Sequence, residues 1–152
     1  MILRDFAPDD LAALLDLWQQ AWQAAMPEID FAARRPGFAG HLEGLQGAGA
    51  RLRVAVEAGG IVGFYTLDRA GYLDQLAVRR DRQGHGVAQA LIADAKGLSA
   101  GRIALKVNQA NARAIAFYER EGFQRGEADI NPVSGLPLWH YRWDADLPRR
   151  PA

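Results

Sequence analysis

Residues 73–88 read LDQLAVRRDRQGHGVA, and this stretch decides the fold. The apolar run Tyr72–Val78 predicts a buried strand, and the segment Gly84–Leu98 has the apolar spacing of a helix. A strand is therefore expected to lead into a helix through a turn that contains Gly84 and Gly86. The first backbone amides of a helix have no partner within it and carry partial positive charge. Such a turn predicts a site for an anionic group such as pyrophosphate.

Two other interpretations of this turn use the same residues. The two glycines can serve only to shape a tight turn. A dinucleotide-binding GxGxxG motif is a poor match, because Gln89 stands at the third glycine position and no strand-helix-strand unit begins before it. The choice between a structural turn and an anion site therefore depends on the rest of the chain.

A second informative stretch, residues 105–123, reads LKVNQANARAIAFYEREGF. Its pattern predicts a strand over Arg102–Val107 and a helix over Asn111–Glu121. Asn111 and Tyr118 are seven residues apart, so they share a helix face and are separated by about 10.5 Å along its axis. Each also has a purely structural interpretation, Asn111 as a helix N-cap and Tyr118 as a core aromatic.

Together the two stretches resemble the GNAT acetyltransferase family. The acyl-CoA signature of that family, Q or R, then xxGx, then G or A, matches Gln83, Gly86 and Ala88. The resemblance implies acetyl-CoA as co-substrate, with the phosphates at the turn and the pantetheine arm bound along the preceding strand. Gly84 and His85 stand where the family often carries basic side chains, so fewer charges are expected there. The implied cofactor-binding residues are Leu76, Ala77, Val78, Gln83, Gly84, His85, Gly86, Val87, Ala88, Asn111, Ala114 and Tyr118.

The resemblance also implies direct attack of an amine on the thioester, with no covalent enzyme intermediate. The backbone amide of Val78 is the expected donor to the oxyanion, and Tyr118 is the expected acid that protonates the leaving thiolate. A base is needed as well, because an ammonium acceptor is mostly protonated at neutral pH. Asp74 and Glu28 are the candidate bases, and each has an equally good interpretation as a structural or solvated carboxylate.

The remaining segments predict one mixed α/β (α+β) domain over residues 1–147 with a flexible tail at 148–152. A strand Ile2–Phe6 precedes an amphipathic helix that an acidic side chain of Asp9 or Asp10 can cap, and Phe31–Leu45 predicts a helix broken at Pro36 and Gly37. A hairpin and a final strand pair complete the chain. The resemblance implies the GNAT fold: a central mixed, mostly antiparallel sheet of about six or seven strands, splayed at the cofactor cleft, with helices on both faces.

Composition excludes several classes of function. Eighteen basic and eighteen acidic residues give a formal net charge of +0, which leaves no overall field to attract nucleic acid or an anionic membrane. The absence of cysteine removes thiolate nucleophiles and thiolate metal sites. We expect a cytoplasmic protein without a metal or membrane partner. His41, His85 and His140 suggest no metal cluster, and the apolar terminal strands permit a homodimer without requiring one.

The sequence leaves the acceptor open. A primary amine on a small molecule is the leading expectation, an N-terminus or lysine of a peptide or protein is a second, and a non-catalytic acyl-CoA sensor is a third. Acceptor selectivity is expected from Trp22, Met26, Phe31 and the aromatic-rich terminal strands, which contain Trp139, His140, Tyr141 and Trp143.

Overall fold

The computed structural model describes residues 1–146 of the chain, so the predicted boundary at residue 147 and the predicted tail lie outside the described residues. The strands are β1 (Ile2–Asp5), β2 (Arg51–Glu57), β3 (Gly60–Leu67), β4 (Leu73–Val78), β5 (Arg102–Asn108), β6 (Gln124–Ile130) and β7 (Pro137–Asp144). The helices are α1 (Leu11–Ala25), α2 (Phe31–Gly47), α3 (Val87–Leu98) and α4 (Ala112–Arg120). Short 3₁₀ turns cover Pro8–Asp10 and Arg80–Arg82. The predicted hairpin and the predicted terminal strand pair are confirmed.

The strands form two antiparallel half-sheets, one of four strands in the order β1-β2-β3-β4 and one of three in the order β5-β7-β6. A single parallel bridge, Tyr72 to Ala104, joins the two among the described residues. Beyond this bridge β4 and β5 diverge. The predicted mixed, mostly antiparallel sheet with a splay between these two strands is therefore confirmed.

Helices cover both faces of the sheet, as predicted. Leu14, Leu15 and Trp18 of α1 pack with Phe38 of α2 against Val54 and Phe64 of the sheet. On the other face, residues of α3 and α4 pack against strand residues whose side chains point away from α1 and α2. This alternation follows from the period of two in a strand, which sends successive side chains to opposite faces. We refer to these as the α1/α2 face and the α3/α4 face.

The predicted break in the second helix is wrong, because α2 runs without interruption through Pro36 and Gly37. Pro36 is the sixth residue of the helix, so it removes the hydrogen bond to the Ala32 carbonyl and crowds that carbonyl, at a cost of about 3 kcal/mol. The packing of the helix outweighs that loss, since Phe38 stacks on Trp18 with ring centroids 4.1 Å apart and Leu42 is buried. Tertiary contacts thus decide a helix whose sequence alone indicates a break.

The predicted acidic cap also takes a different form. The Asp10 side chain makes no capping bond to α1. Its carboxylate instead accepts a hydrogen bond from the Ala7 amide at 2.8 Å and pairs with both terminal nitrogens of Arg4, at 2.7 and 2.9 Å. Asp10 therefore fixes the connection between β1 and the 3₁₀ turn rather than the helix itself.

Two glycines allow close approaches in the sheet. A side chain at Gly63 would meet Leu91 and Val87 of α3 at 2.9 and 3.0 Å, so its absence lets α3 pack tightly on β3. Gly71 has φ of +89°, and a β carbon there would lie 2.6 Å from the Arg102 carbonyl oxygen. The Gly71 carbonyl accepts a hydrogen bond from the Ala104 amide at 2.9 Å. Gly71 therefore makes the junction of the two half-sheets possible.

A buried polar network ties α3 to the sheet through Asp94. Arg53 donates to both carboxylate oxygens of Asp94, at 3.0 and 3.1 Å, and the hydroxyl of the fully buried Tyr65 donates to the same carboxylate at 2.5 Å. Burial alone would raise the pKa of Asp94, but the hydrogen bonds from Arg53 and Tyr65 outweigh it, so the pKa is lowered. Folding therefore favours the ionised carboxylate.

We expect Tyr65→Phe to lower the free energy of unfolding by about 1 to 2 kcal/mol at neutral pH, since it removes a hydrogen bond to a charged group. Because the folded pKa of Asp94 lies below its unfolded value, its stabilisation is present above about pH 4 and is lost as the pH falls through the folded value. Guanidinium unfolding of wild type and Tyr65→Phe at neutral pH measures the first loss. The same measurement on wild type and Asp94→Asn, at neutral and acid pH, tests the pH dependence. The stability gap between the two proteins should narrow with acid, and a constant gap would contradict the network.

Candidate active site

A cavity of about 590 Å³ lies beside the end of β4, between this strand and α4, the helix that follows β5. This volume falls in the range of small-molecule sites. Its walls come from β4, the turn after it, α3 and α4, and from the end of α1 on the opposite face of the sheet. The predicted cofactor-binding residues that line it are Leu76, Ala77, Val78, Gln83, Gly84, Gly86, Val87, Ala88, Asn111, Ala114 and Tyr118. His85 is outside that lining and is exposed.

The edge of β4 presents unpaired backbone groups to this cavity. The Arg79 amide donates to the Val62 carbonyl at 2.8 Å, and Val78 pairs with Gly63 in the neighbouring position. Hydrogen-bonded and non-hydrogen-bonded pairs alternate in an antiparallel ladder. The amides of Val78 and Leu76 therefore point away from β3 and toward the cavity. An extended ligand can pair with this edge as an added strand.

The turn between β4 and α3 is shaped by two glycines in the left-handed region. Gly84 has φ of +79° and Gly86 has φ of +84°, a conformation that side chains disfavour. Gly86 is the N-cap residue of α3 and supplies no capping side chain, so the first amides of the helix keep their hydrogen-bonding capacity. A β carbon at Gly84 would have no atom of the described residues within 4 Å. The turn therefore leaves open space in front of free amides, which fits an anionic ligand.

Gln83 connects the two walls of the cavity. Its side-chain amide donates to the Val78 carbonyl at 3.4 Å, and its side-chain oxygen accepts a hydrogen bond from Arg113 of α4 at 3.1 Å. The opposite walls are thus in contact beside the turn, close to where β4 ends.

Sequence reasoning missed the positive charges of the cavity. Four arginines line it, two from the 3₁₀ turn after β4 and two from α4: Arg80, Arg82, Arg113 and Arg120. The expectation of fewer charges around Gly84 and His85 is thus offset by neighbouring elements. The available signal was the spacing of Arg113 and Arg120, seven residues apart on the helix that carries Asn111 and Tyr118.

Asn111 and Tyr118 take the structural roles predicted for them, helix cap and core aromatic, and both also line the cavity. The Asn111 side-chain oxygen accepts from the Ala114 amide at 3.1 Å, so it caps α4, and the residue also lines the cavity. Tyr118 is 9% exposed and packs edge-on against Phe117 and Phe123. Burial raises the pKa of Tyr118, so its hydroxyl stays protonated. Within residues 1–146 that hydroxyl has no hydrogen-bond partner.

The two candidate bases lie outside the cavity lining. Asp74 is on β4 and its carboxylate is 2.7 Å from Nε2 of His41 on α2. Glu28 is exposed in the connection between α1 and α2. The structure therefore brings Asp74 next to a titratable partner, which the sequence did not indicate, and places Glu28 in solvent.

The aromatic residues expected to select the acceptor are divided among several places. Trp22 lines the cavity, whereas Met26 and Phe31 pack in the α1/α2 core. Three aromatic residues of β7 pack on the α3/α4 face: Trp139, Tyr141 and Trp143. His140 is 2.9 Å from Asp129. In the described part of the chain, no group of three or more acidic or histidine side chains is placed to hold a metal ion, and no helix has the length and apolarity to cross a membrane.

The split sheet and the open turn at its mouth define a class of domain that binds an extended anionic ligand along a strand edge. A family model described as acetyltransferase (GNAT) domain matches residues 48–125, half of the chain. The chain belongs to the GNAT acetyltransferase family. The predicted family is therefore confirmed.

Solved structures share the fold. Apo YjaB from Escherichia coli is 23% identical with a TM-score of 0.74, over 94% of this chain and 98% of that one. PaiA N-acetyltransferase from Thermoplasma acidophilum, in complex with coenzyme A, is 14% identical with a TM-score of 0.76, over 94% and 98%. The putative acetyltransferase yncA from Salmonella typhimurium, with acetyl-CoA, is 17% identical with a TM-score of 0.70, over 100% and 98%. No curated protein sequence matches the chain significantly.

Proposed function

We propose that this protein is an N-acetyltransferase that transfers the acetyl group of acetyl-CoA to a primary amine of a small-molecule acceptor. The observation that carries the proposal is the edge of β4, where the amides of Leu76 and Val78 point away from β3 toward the cavity that the open turn and Tyr118 also line. Two similar folds have been solved with coenzyme A or acetyl-CoA. The residues of this chain fit such a ligand.

The proposed placement follows the chemistry of each wall. The diphosphate lies at the free amides that begin α3, with Arg80 and Arg113 supplying positive charge nearby. Arg82 also lines the cavity, but its guanidinium is paired with Glu57 at 2.7 Å. The pantetheine arm runs back along β4 and exchanges hydrogen bonds with Leu76 and Val78. This direction takes the sulfur end away from the turn and toward the junction of the half-sheets. Asn111 and Ala114 contact the arm from α4.

In the proposed reaction the amine nitrogen forms a bond to the acetyl carbon while the carbon-sulfur bond breaks. The Val78 amide donates to the carbonyl oxygen as negative charge develops there, and a fixed backbone donor needs no reorganisation. The sulfur takes a proton from the Tyr118 hydroxyl. The proton lost by the amine passes to a base, for which Asp74 and Glu28 remain the candidates. Both reactants are held together, which lowers the entropic cost of the encounter.

Calorimetric titration with acetyl-CoA tests the cofactor site. A pair of isosteric variants tests where the phosphates bind. Gln89 lines the cavity beside the first turn of α3, so Gln89→Glu places a negative charge near the phosphates and should weaken binding about fivefold. Gln46→Glu makes the same change at an exposed position of α2 and should leave the affinity within about twofold. Equal effects of the two variants would contradict the placement.

Thiol release with amino acids, polyamines, aminoglycosides and short peptides tests the reaction. We expect turnover with a small amine. Turnover with peptides alone would favour a peptide or protein acceptor instead. Binding of acetyl-CoA without release for any acceptor would favour the sensor, and the absence of binding at millimolar acetyl-CoA would overturn the proposed function.

A further inference from the structure

The junction of the half-sheets brings two opposite charges to the start of the split. Tyr72 and Ala104 form a parallel bridge, so the residues two positions later on each strand, Asp74 and Lys106, face one another across the opening gap. In both strands a step of two positions returns to the same face of the sheet. Leu73 packs in the α3/α4 core, which places Tyr72 and Asp74 on the α1/α2 face. We call this place the apex of the split.

The apex is accessible from the α1/α2 face only. Ala104 and Lys106 are exposed there. On the α3/α4 face the same stretch of sheet is filled by buried Leu73, Ile103 and Leu105. A molecule that approaches the apex therefore comes from the α1/α2 side and meets Asp74 on one lip of the gap and Lys106 on the other.

The two charges are held differently. His41 fixes the Asp74 carboxylate, with Nε2 at 2.7 Å from the oxygen. Lys106 lies with its ammonium 5.9 Å from the centre of the Tyr72 ring, and within residues 1–146 it forms no ion pair. Lys106 pairs in register with His140 of β7, whose Nε2 is 2.9 Å from the Asp129 carboxylate. The hydrogen bond from His140 and the charge of Lys106 both lower the pKa of Asp129. The apex thus presents a fixed anion and an ammonium group available to a ligand.

We propose that the acceptor is a small zwitterion of the amino acid type, whose amine is bound at Asp74 and whose carboxylate is bound by Lys106. This inference rests on the proposed function, because the arm that runs from the turn along β4 delivers its sulfur end toward the apex. The amine then sits between the thioester and Asp74, where the Asp74–His41 pair takes its proton as the nitrogen-carbon bond forms. Lys106 determines specificity, since a charge-assisted contact with a carboxylate favours acceptors that carry one.

Matched acceptors test this inference. Amino acids, their carboxamides and the corresponding decarboxylated amines are compared by thiol release from acetyl-CoA. The wild type should prefer at least one amino acid over its carboxamide by about tenfold or more in kcat/KM. Lys106→Met should abolish most of that preference. Arg102→Met is the control, because Arg102 lies on the same strand and face about 13 Å away and is 82% exposed.

The outcomes separate this inference from the proposed function. A preference that survives in Lys106→Met, or equal use of amino acids and carboxamides by the wild type, overturns the zwitterion site while leaving the transferase in place. Turnover of polyamines or aminoglycosides but of no amino acid also overturns the zwitterion site and leaves the transferase in place. Failure of acetyl-CoA to bind in calorimetry overturns the proposed function, and this inference with it. Loss of the preference in Lys106→Met but not in Arg102→Met supports the site.

Discussion

Replacement of Tyr118 by phenylalanine is expected to lower kcat about a hundredfold while the dissociation constant for acetyl-CoA stays within about twofold. The ring remains, so the edge-on contacts with Phe117 and Phe123 persist. What disappears is the hydroxyl of a residue that lines the cavity. Burial raises the pKa of that hydroxyl, and the same exclusion of water raises the proton affinity of a departing thiolate. Donor and acceptor therefore remain matched in the buried site.

Tyr141→Phe is the control for the loss of a buried hydroxyl. Tyr141 belongs to the same core, but its hydroxyl donates to Glu119 at 2.8 Å and it is outside the cavity lining. This variant should change stability and leave kcat nearly unaltered. Steady-state kinetics with saturating acetyl-CoA and calorimetry on both variants distinguish the cases. An unaltered kcat in Tyr118→Phe would remove the acid role, and a matching fall in affinity would make Tyr118 a binding residue instead.

Gly71→Ala is expected to lower the free energy of unfolding by about 2 to 4 kcal/mol, a large effect for a single added methyl group. Two costs combine at this position. The left-handed backbone, with φ of +89°, disfavours a side chain, and the new β carbon would lie 2.6 Å from the Arg102 carbonyl oxygen. That oxygen belongs to a strand backbone and cannot rotate away as a side chain can. The half-sheets must therefore separate at their junction.

Gly60→Ala separates the two costs. Gly60 has φ of +107°, and no atom of residues 1–146 lies within 4 Å of the position that its β carbon would take. Only backbone strain therefore applies, and about 1 to 2 kcal/mol should be lost. Denaturant unfolding of both variants gives the comparison. Because Gly71→Ala displaces the apex as well, its kcat/KM should fall further than that of Gly60→Ala. Equal destabilisation of the two proteins would show that the close approach at Arg102 adds nothing to the loss of unfolding free energy.

The sequence predicts the elements that carry a strong local pattern. The strand, turn and helix around Gly84 and Gly86 are where residues 73–88 indicate, because glycine spacing and apolar periodicity are local properties. The splay between β4 and β5 was accessible only through the family resemblance, since a gap between strands has no sequence signature of its own. The continuity of α2 through Pro36 was not predictable, because it depends on the stacking of Phe38 on a residue of another helix.

The sequence predicted the site residues within each motif better than the contacts between distant segments. Its predicted cofactor-binding residues on β4, α3 and α4 follow from the two motifs, and all of these but His85 line one cavity. The pairing of Asp74 with His41, 33 residues apart in sequence, and the opposition of Asp74 to Lys106 arise from tertiary structure. Contacts between distant segments are invisible to motif spacing, and these contacts carry the information about the acceptor.

Because β4 and β5 diverge, some backbone groups of the sheet can be paired only by a bound ligand. The backbone groups of Leu76 and Val78 that β5 does not reach obtain partners from whatever occupies the gap. Occupancy then adds to the stability of the chain by mass action, in proportion to the logarithm of guest concentration once the site is nearly saturated. The metabolic supply of the acyl donor would thus set how long each molecule survives heat and proteolysis, as well as how fast it works.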